Sequence, residues 1–249
     1  MLSPLLALKE VSVHFGTANR PVTAVENVSF SLSEGERLVL VGPSGCGKST
    51  LLATVGGFLR PSAGHVLLDG VPVRRPGPDR MMVFQEFDQL LPWKSVAANI
   101  AYPLRLAGVT REVASARAEA LIHQVGLTGF GDAFPHMLSG GMKMRVAIAR
   151  ALAAPPRLLL MDEPFAALDA LTRRRMQEEL LRLWHEHVFT LLFVTHSIEE
   201  AVLLGSRILV LSPHPGRVQA VLEVPEDRAA RAALQADLHR LLLPEPADV

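Results

Sequence analysis

Nine residues, GPSGCGKST from Gly42 to Thr50, constrain this chain more than any others. They follow the continuous apolar run Leu38 to Val41 and lead into the helix-favouring run LLATVGGFL, so a buried strand has to turn abruptly into a helix. The segment Gly42, Pro43, Ser44, Gly45, Cys46, Gly47, Lys48, Ser49, Thr50 therefore reads as a phosphate cradle. Gly42, Gly45 and Gly47 permit a backbone path that turns successive N–H groups from Gly45 to Thr50 toward one anion, and the helix dipole points the same way. Lys48 supplies a point charge for β- and γ-phosphates, and the Ser49 hydroxyl is placed for Mg²⁺. A glycine-rich turn with no ligand is the alternative, and the strand before and helix after weigh against it.

Other apolar runs are equally continuous: MMVFQ (Met81 to Gln85), LLLMD (Leu158 to Asp162), LLFVT (Leu191 to Thr195) and ILVL (Ile208 to Leu211). Runs without alternation belong to strands covered on both faces, so an α/β fold with a parallel core sheet between helices is expected. LLALKEVSVHF and VENVSFSL are short, partly alternating and β-branched, and HVLLDGVPV carries Asp69-Gly70 as a two-residue turn, so an antiparallel β layer is expected as well. Between Ser95 and Leu152 the sequence becomes Ala-rich and helix-favouring, with one helix from about Thr110 to Val125, which reads as an inserted helical subdomain. Met176, Leu180, Leu183 and Trp184 form a stripe at helical spacing. Leu234, Leu238, Leu241 and Leu242 form another, which either docks on its own domain or receives a partner.

LLLMDEP ends its strand with adjacent carboxylates whose side chains point in opposite directions if the backbone stays extended. Their roles then differ: Asp162 suits Mg²⁺, directly or through water, and Glu163 suits the polarisation of an attacking water at the γ-phosphate. On these residues alone, small GTPases and kinases remain open beside other phosphate-loop enzymes.

The segment LSGGM (Leu138 to Met142) followed by KMRVAIARAL resembles the signature of the ATP-binding cassette ATPases, and the resemblance extends over about Ala7 to Val224. Gln85 matches the family's Q-loop glutamine, Asp169 at the end of FAALD its D-loop residue, and His196 at the end of VTH its switch histidine. Phe15 in HFG sits where the family carries an aromatic that stacks on adenine. The resemblance implies a P-loop NTPase fold, with a RecA-like parallel core sheet, an antiparallel β layer and an inserted helical subdomain. It implies ATP and Mg²⁺ as cofactors, Glu163, His196 and Gln85 as catalytic groups, and Ser49, Gln85 and Asp162 around the metal. Ser139, Gly140 and Gly141 open a helix and would cap the γ-phosphate held by a second copy, in a head-to-tail dimer with two nucleotides between the subunits. The implied organisation is one cassette over residues 1–249, with 1–94 and 153–224 as catalytic core and β layer, 95–152 as helical signature subdomain and 225–249 as a C-terminal helical extension.

Departures from the family pattern are Met142 and Met144, where glutamines are common, and Ala166 for a frequent glycine. The lost amides remove hydrogen bonds to ribose or across the dimer while leaving the backbone cradle intact. Cys46, the single cysteine, has two readings: a thiol made acidic by Lys48 and the helix terminus, or simply a small side chain.

Composition narrows the setting. Lys plus Arg and Asp plus Glu both number 25, which argues against recruitment of a nucleic-acid backbone. One cysteine excludes an intrachain disulfide and fits a reducing compartment. No stretch free of Asp, Glu, Lys and Arg exceeds a dozen residues, too few to span a bilayer, and the start MLSPLLALKE lacks the features of an export signal. A transport role then requires a separate integral membrane permease, and indirectly a periplasmic or lipid-anchored solute-binding protein, with this chain at the cytoplasmic face of the inner membrane. VFQEFDQLLPWKSV, LSGGMKMRVAIARAL, DEPFAALDALTR and SPHPGRV resemble the nitrate, aliphatic sulfonate and taurine importer ATPases. A non-transport cassette, such as an iron–sulfur cluster assembly ATPase, is the alternative. Phe87, Leu90, Leu91 and Trp93 stand as an apolar cluster in a connection expected to be exposed; it either packs within the helical subdomain or forms a groove for a coupling helix of the permease.

Overall fold

The continuous apolar runs at Leu38, Leu158, Leu191 and Ile208 become strands covered on both faces, as their lack of alternation requires, whereas the run at Met81 becomes a strand that is only half-buried before Val83. The computed structural model describes residues 3–17, 20–86 and 89–242. In chain order the elements are β1 (Leu6–Thr17), β2 (Arg20–Leu32), β3 (Arg37–Val41), α1 (Lys48–Gly56), β4 (Ala63–Leu68), β5 (Val71–Pro72), β6 (Arg80–Val83), α2 (Val96–Leu106) and α3 (Arg111–Gln124). They continue with α4 (Gly140–Ala153), β7 (Leu158–Asp162), α5 (Ala170–His187), β8 (Thr190–Val194), α6 (Ile198–Leu204), β9 (Arg207–Leu211), β10 (Val218–Glu223) and α7 (Arg228–Leu242). The chain divides into two units, one made of Met1–Gly77 with Thr190–Val249 and the other of Pro78–Phe189.

In the first unit an antiparallel sheet runs in the order β2-β1-β4-β5, the antiparallel layer expected from the sequence. Its strands β1 and β2 are longer than the short segments anticipated, because three register shifts carry the pairing past places where the apolar alternation breaks. Asp69 and Gly70 both have positive φ, 52° and 74°, which gives the tight turn whose twist suits a hairpin. The same unit holds β3 between β8 and β9, parallel to both, with every residue from Leu38 to Val41 buried. β10, which the sequence reading did not assign, pairs antiparallel with β9; its alternating burial marks a strand with one solvated face. α7 packs on α6 and buries Leu234 and Leu238, so this stripe docks on its own unit.

In the second unit β6 and β7 pair in parallel, with Val83 opposite Met161. α2, α3 and α4 pack on one another. α3 begins at an N-cap, Thr110, and buries Ala114, Ala118, Leu121 and Ile122, one face at helical spacing. Met176, Leu180 and Leu183 of α5 are buried as their spacing predicts. Among the described residues no helix is long and apolar enough to cross a membrane.

The apolar cluster after β6 does not stay together. Leu90 is buried at 3% exposure while Trp93 is 71% exposed, and Phe87 lies outside the described residues. The physical reason is Asn99, fully buried on α2. Its Oδ1 accepts from Leu91 N–H at 2.9 Å, and its Nδ2 donates toward the carbonyls of Leu91, Lys94 and Ser95 at 3.0–3.1 Å. A buried amide satisfied by backbone fixes the connection and drives Leu90 inward. Leu90 is therefore a core residue, the packed one of the two readings weighed for this cluster. Leu90→Ala should destabilise the chain by about 2–4 kcal/mol and lower Tm by roughly 5–10 °C, whereas Trp93→Ala should shift Tm by no more than about 2 °C; differential scanning calorimetry of both variants checks this.

Candidate functional site

β3 delivers the chain, fully buried, to Gly42. From there Gly45 and Gly47 adopt left-handed backbone, φ 77° and 97°, a path that side-chain-bearing residues rarely follow. Gly47 is the N-cap of α1 and no side chain caps the helix, so the first-turn N–H groups face out of its positive end. The Lys48 side chain is 6% exposed and folds back over the loop, its Nζ donating to the carbonyls of Gly42 at 2.8 Å and Pro43 at 3.0 Å. These are replaceable partners for an ammonium 5 to 6 residues further along the chain. Ser44, Gly45 and Ser49 are exposed at the mouth, with Pro43 and Thr50 partly so. An uncapped helix end, inward-turning backbone and one ammonium fit a polyphosphate anion well.

The Cys46 side chain takes no part in that mouth. Its side chain is fully buried, and a Cβ placed on Gly42 would come within 2.7 Å of its Sγ. Burial pushes the thiol pKa up, outweighing the lowering by the Lys48 charge. The acid, reactive thiol considered from the sequence is thus replaced by the plainer reading: Cys46 contributes backbone to the loop and a small group to the core.

His196 follows β8 and is exposed. Its neighbours are tightly held: buried Thr195 donates its hydroxyl to Glu200 Oε2 at 2.6 Å and accepts from Ser197 N–H at 3.0 Å, while Ser197 Oγ accepts from Glu200 N–H at 3.2 Å. Thr195 and Glu200 were missed in the sequence, although Ser197-x-x-Glu200 has the spacing of a capping box and could have drawn attention to them. Phe15 lies on β1, paired with Val22, and is 43% exposed.

In the second unit, Gln85 and Asp162 line one open cavity of about 440 Å³ together with Phe84, Glu86 and Gln89. The parallel pairing of β6 and β7 accounts for this, since their C-terminal ends lie side by side. Gln89 clasps the turn that carries Gln85: its Oε1 accepts from Phe84 N–H at 3.2 Å, and its Nε2 donates to the carbonyls of Phe84 at 2.9 Å and Glu86 at 3.0 Å. Nothing local in the sequence marks Gln89 for this role.

Glu163 corrects the argument made for it. The expectation of opposed side chains assumed extended backbone, and Glu163 instead has φ 43°. This left-handed geometry costs about 1–2 kcal/mol for a residue with a Cβ and is held by its surroundings. Glu163 C=O accepts from Ala166 N–H at 3.1 Å, Phe165 is fully buried, and Arg173 donates to the carbonyls of Phe165 at 3.3 Å and Leu168 at 2.9 Å. Arg173 is a second supporting residue that sequence reasoning missed. Asp169 closes the same turn as the N-cap of α5, accepting from Thr172 N–H at 3.0 Å; hydrogen bonds from the Thr172 side chain and backbone hold its carboxyl below the ordinary range.

Ser139 is the N-cap of α4, its Oγ accepting from Met142 N–H at 3.3 Å, so Gly140 and Gly141 stand in the first turn as the sequence suggests. Gly141 is buried, and a Cβ there would meet Thr172 Cγ2 at 2.8 Å. Met144 is fully buried, a core group of α4, which explains why an apolar side chain is accepted at this position.

Because the Cys46 thiol is buried and its pKa raised, native chain at pH 7.5 should react with a maleimide on the order of 10²-fold more slowly than urea-unfolded chain, and faster as pH rises. Stopped-time mass spectrometry of the labelled protein measures this; equal rates for native and unfolded chain would place the thiol at the surface.

A family model described as ABC transporter matches residues 25–166. A taurine import ATP-binding protein, TauB, of Rhizobium johnstonii is 53% identical over 217 residues, 87% of this chain and 82% of the relative. Its namesake in Pseudomonas putida is 50% identical over 220 residues, 88% of this chain and 83% of the relative. Among solved structures, the dimeric post-hydrolysis state of the ATP-binding cassette MJ0796 with ADP and Pi superposes with a TM-score of 0.77 at 31% identity, covering 89% of this chain and 100% of that one. On the family model and these identities together, the chain belongs to the ABC transporter family, as an ATP-binding subunit.

Proposed function

We propose that this chain binds and hydrolyses ATP to energise a bacterial importer of a small solute, with taurine or a related sulfonate as the class its relatives' names support. The observation that carries the reading is the loop Gly42 to Thr50, whose left-handed glycines and uncapped α1 offer a polyphosphate site with Lys48 beside it. In this reading Lys48 leaves the Gly42 and Pro43 carbonyls for the terminal phosphates, and the backbone amides of Gly45 to Thr50 hold the phosphate chain without needing to reorganise.

Hard oxygen donors suit Mg²⁺, and Ser49, Asp162 and Gln85 are the residues that would hold it. The metal would neutralise charge between the β- and γ-phosphates. Glu163 takes the role of orienting and polarising the attacking water, and its strained but well-supported backbone is a means of fixing where the carboxylate points. His196 positions the γ-phosphate and the water, with Thr195 and Glu200 fixing the backbone on either side of it. Phe15 offers an exposed ring for the adenine.

A second copy of the chain completes the site in this reading, its Ser139, Gly140 and Gly141 bringing the N-terminus of α4 to the γ-phosphate, with Asp169 at the dimer contact. Residues 1–94 and 153–224 serve as catalytic core, 95–152 as the helical signature subdomain and 225–249 as the C-terminal extension. The pore is a separate integral membrane permease, served by a solute-binding protein outside the membrane, and the cassette works at the cytoplasmic face. The exposed Trp93 ring is a candidate contact to that permease.

Lys48→Ala should lose ATP binding and turnover, and ATPase activity within twofold of the parent chain would sink the phosphate-site reading. Glu163→Gln should bind ATP as the parent does and hydrolyse it roughly 10² to 10⁴ times more slowly in a phosphate-release assay. Normal turnover in that variant moves the water-activating role elsewhere. Affinity purification of the tagged chain from its native membrane should bring down a multi-span permease, and recovery without any integral membrane protein counts against the transport assignment.

A further inference from the structure

The segment SPHPGR, residues 212–217, is the part of the sequence for which the nucleotide chemistry above gives no use. It connects β9 to β10, yet it is not a free surface turn. Gly216 N–H donates to Ala24 C=O at 3.0 Å, and Gly216 C=O accepts from Glu26 N–H at 2.9 Å, so Gly216 forms a bridge with Val25 of β2. Within the turn, Ser212 N–H donates to Arg217 C=O at 2.9 Å and Ser212 Oγ accepts from Arg217 N–H at 3.1 Å. The Ser212 hydroxyl is also placed to donate to the carbonyl of Pro213 or Pro215.

This anchored turn lies directly against the phosphate loop. A Cβ built on Gly216 would overlap the Cys46 carbonyl oxygen and come within 3.3 Å of the Cys46 carbonyl carbon and 3.4 Å of Val25 Cγ1. Gly216 does not have left-handed backbone, so space alone, and not conformation, calls for glycine at this position. Two neighbours show the same closeness. A Cβ on Gly47 would stand 2.6 Å from Ala24 C=O, and one on Gly42 would stand 3.0 Å from Leu211 C=O, the last residue of β9. The start, middle and end of the loop from Gly42 to Gly47 are therefore backed by one backbone assembly made of β2, the last residue of β9 and the 212–217 turn.

We propose that the 212–217 turn is a brace that positions the phosphate loop, with Gly216 as the residue whose missing side chain lets the Cys46 carbonyl lie where the amide cradle requires it. The proposal rests on the phosphate-binding reading of residues 42–50. Gly216 and Ser212 are positioning residues: they touch the loop or the turn and not the nucleotide. If a side chain is added at 216, two pieces compete to move. The turn is held by four hydrogen bonds, three between backbone groups and one from Arg217 N–H to the Ser212 hydroxyl, whereas at Cys46 the loop's own bond is a long one, Cys46 N–H to Pro43 C=O at 3.3 Å. The loop is the weaker side, so the displacement falls on the peptide between Cys46 and Gly47, inside the cradle. Shifts of about 1 Å in a binding constellation are worth up to roughly a hundredfold.

The test titrates a fluorescent ATP analogue into the full chain with Mg²⁺ and records the melting temperature of the nucleotide-free protein. Gly216→Ala should fold, with a nucleotide-free Tm within a few degrees of the parent, and bind at least about tenfold more weakly. Ser212→Ala, which loosens the turn without adding bulk, should weaken binding in the same direction by a smaller factor. Arg217→Ala, which removes only the exposed ion pair with Glu26, should bind as the parent does. Unchanged affinity in folded Gly216→Ala overturns the brace. Where that variant does not fold, Ser212→Ala decides: weakened binding supports the brace and parental affinity overturns it. Lys48→Ala separates the two readings, because parental affinity there defeats the phosphate site itself, while loss there with parental affinity at 212 and 216 defeats the brace alone.

Discussion

A helix whose first turn has no side-chain cap must find another partner for its exposed amides, and α1 is such a helix. Its N-cap, Gly47, is a left-handed glycine, and Gly45 in the preceding loop is another. A serine or aspartate could not cap it without strain, because φ at this position is 97° and a Cβ would stand 2.6 Å from Ala24 C=O, so the helix start is left without a side-chain cap. The first unit is arranged to hold this unfavourable terminus in place. β3, buried between β8 and β9, fixes where the loop starts, and β2 with the turn after β9 backs its far side. Lys48 occupies the local carbonyls, so the charge is kept near the loop at little cost in desolvation.

The second unit uses strain in a similar way. Glu163 is a charged residue with left-handed backbone at the end of a buried strand, and the turn after it is fastened by a buried phenylalanine and by Arg173 spread over its carbonyls. A backbone conformation so fully determined by its neighbours fixes the point and direction from which the Glu163 side chain departs. Gln89 does for the Gln85 turn what Arg173 does for this one. The groups to which the proposed chemistry is assigned thus sit on short irregular segments, and each segment has a side chain of its own unit to fasten it.

What was legible in the sequence follows from these differences. The strands β3, β7, β8 and β9 announce themselves because burial on both faces leaves an uninterrupted apolar run, whereas β10, exposed at every second residue and following a proline-rich turn, does not. The motifs are legible because phosphate and metal chemistry demand particular residues at fixed local spacing, as in Gly45, Gly47 and Lys48. Their supports are not, since Asn99, Gln89 and Arg173 act through backbone carbonyls that no residue type encodes. The positive φ of Glu163 is imposed by tertiary structure against its own preference, so reasoning from an extended strand had to fail there. Leu90 and Trp93 differ for a similar reason: one buried amide, not hydrophobicity, decides which of two apolar neighbours enters the core.

In the proposed mechanism ATP links two copies of this chain, each supplying the helix terminus at Ser139 to the phosphates held by the other. Sedimentation velocity of the Glu163→Gln variant, in which bound ATP persists, measures this directly. With ATP and Mg²⁺ the account predicts a species of twice the chain mass, formed only when ATP is present and lost when ADP replaces it. A chain that stays monomeric while saturated with ATP, or one that dimerises equally without nucleotide, would contradict it.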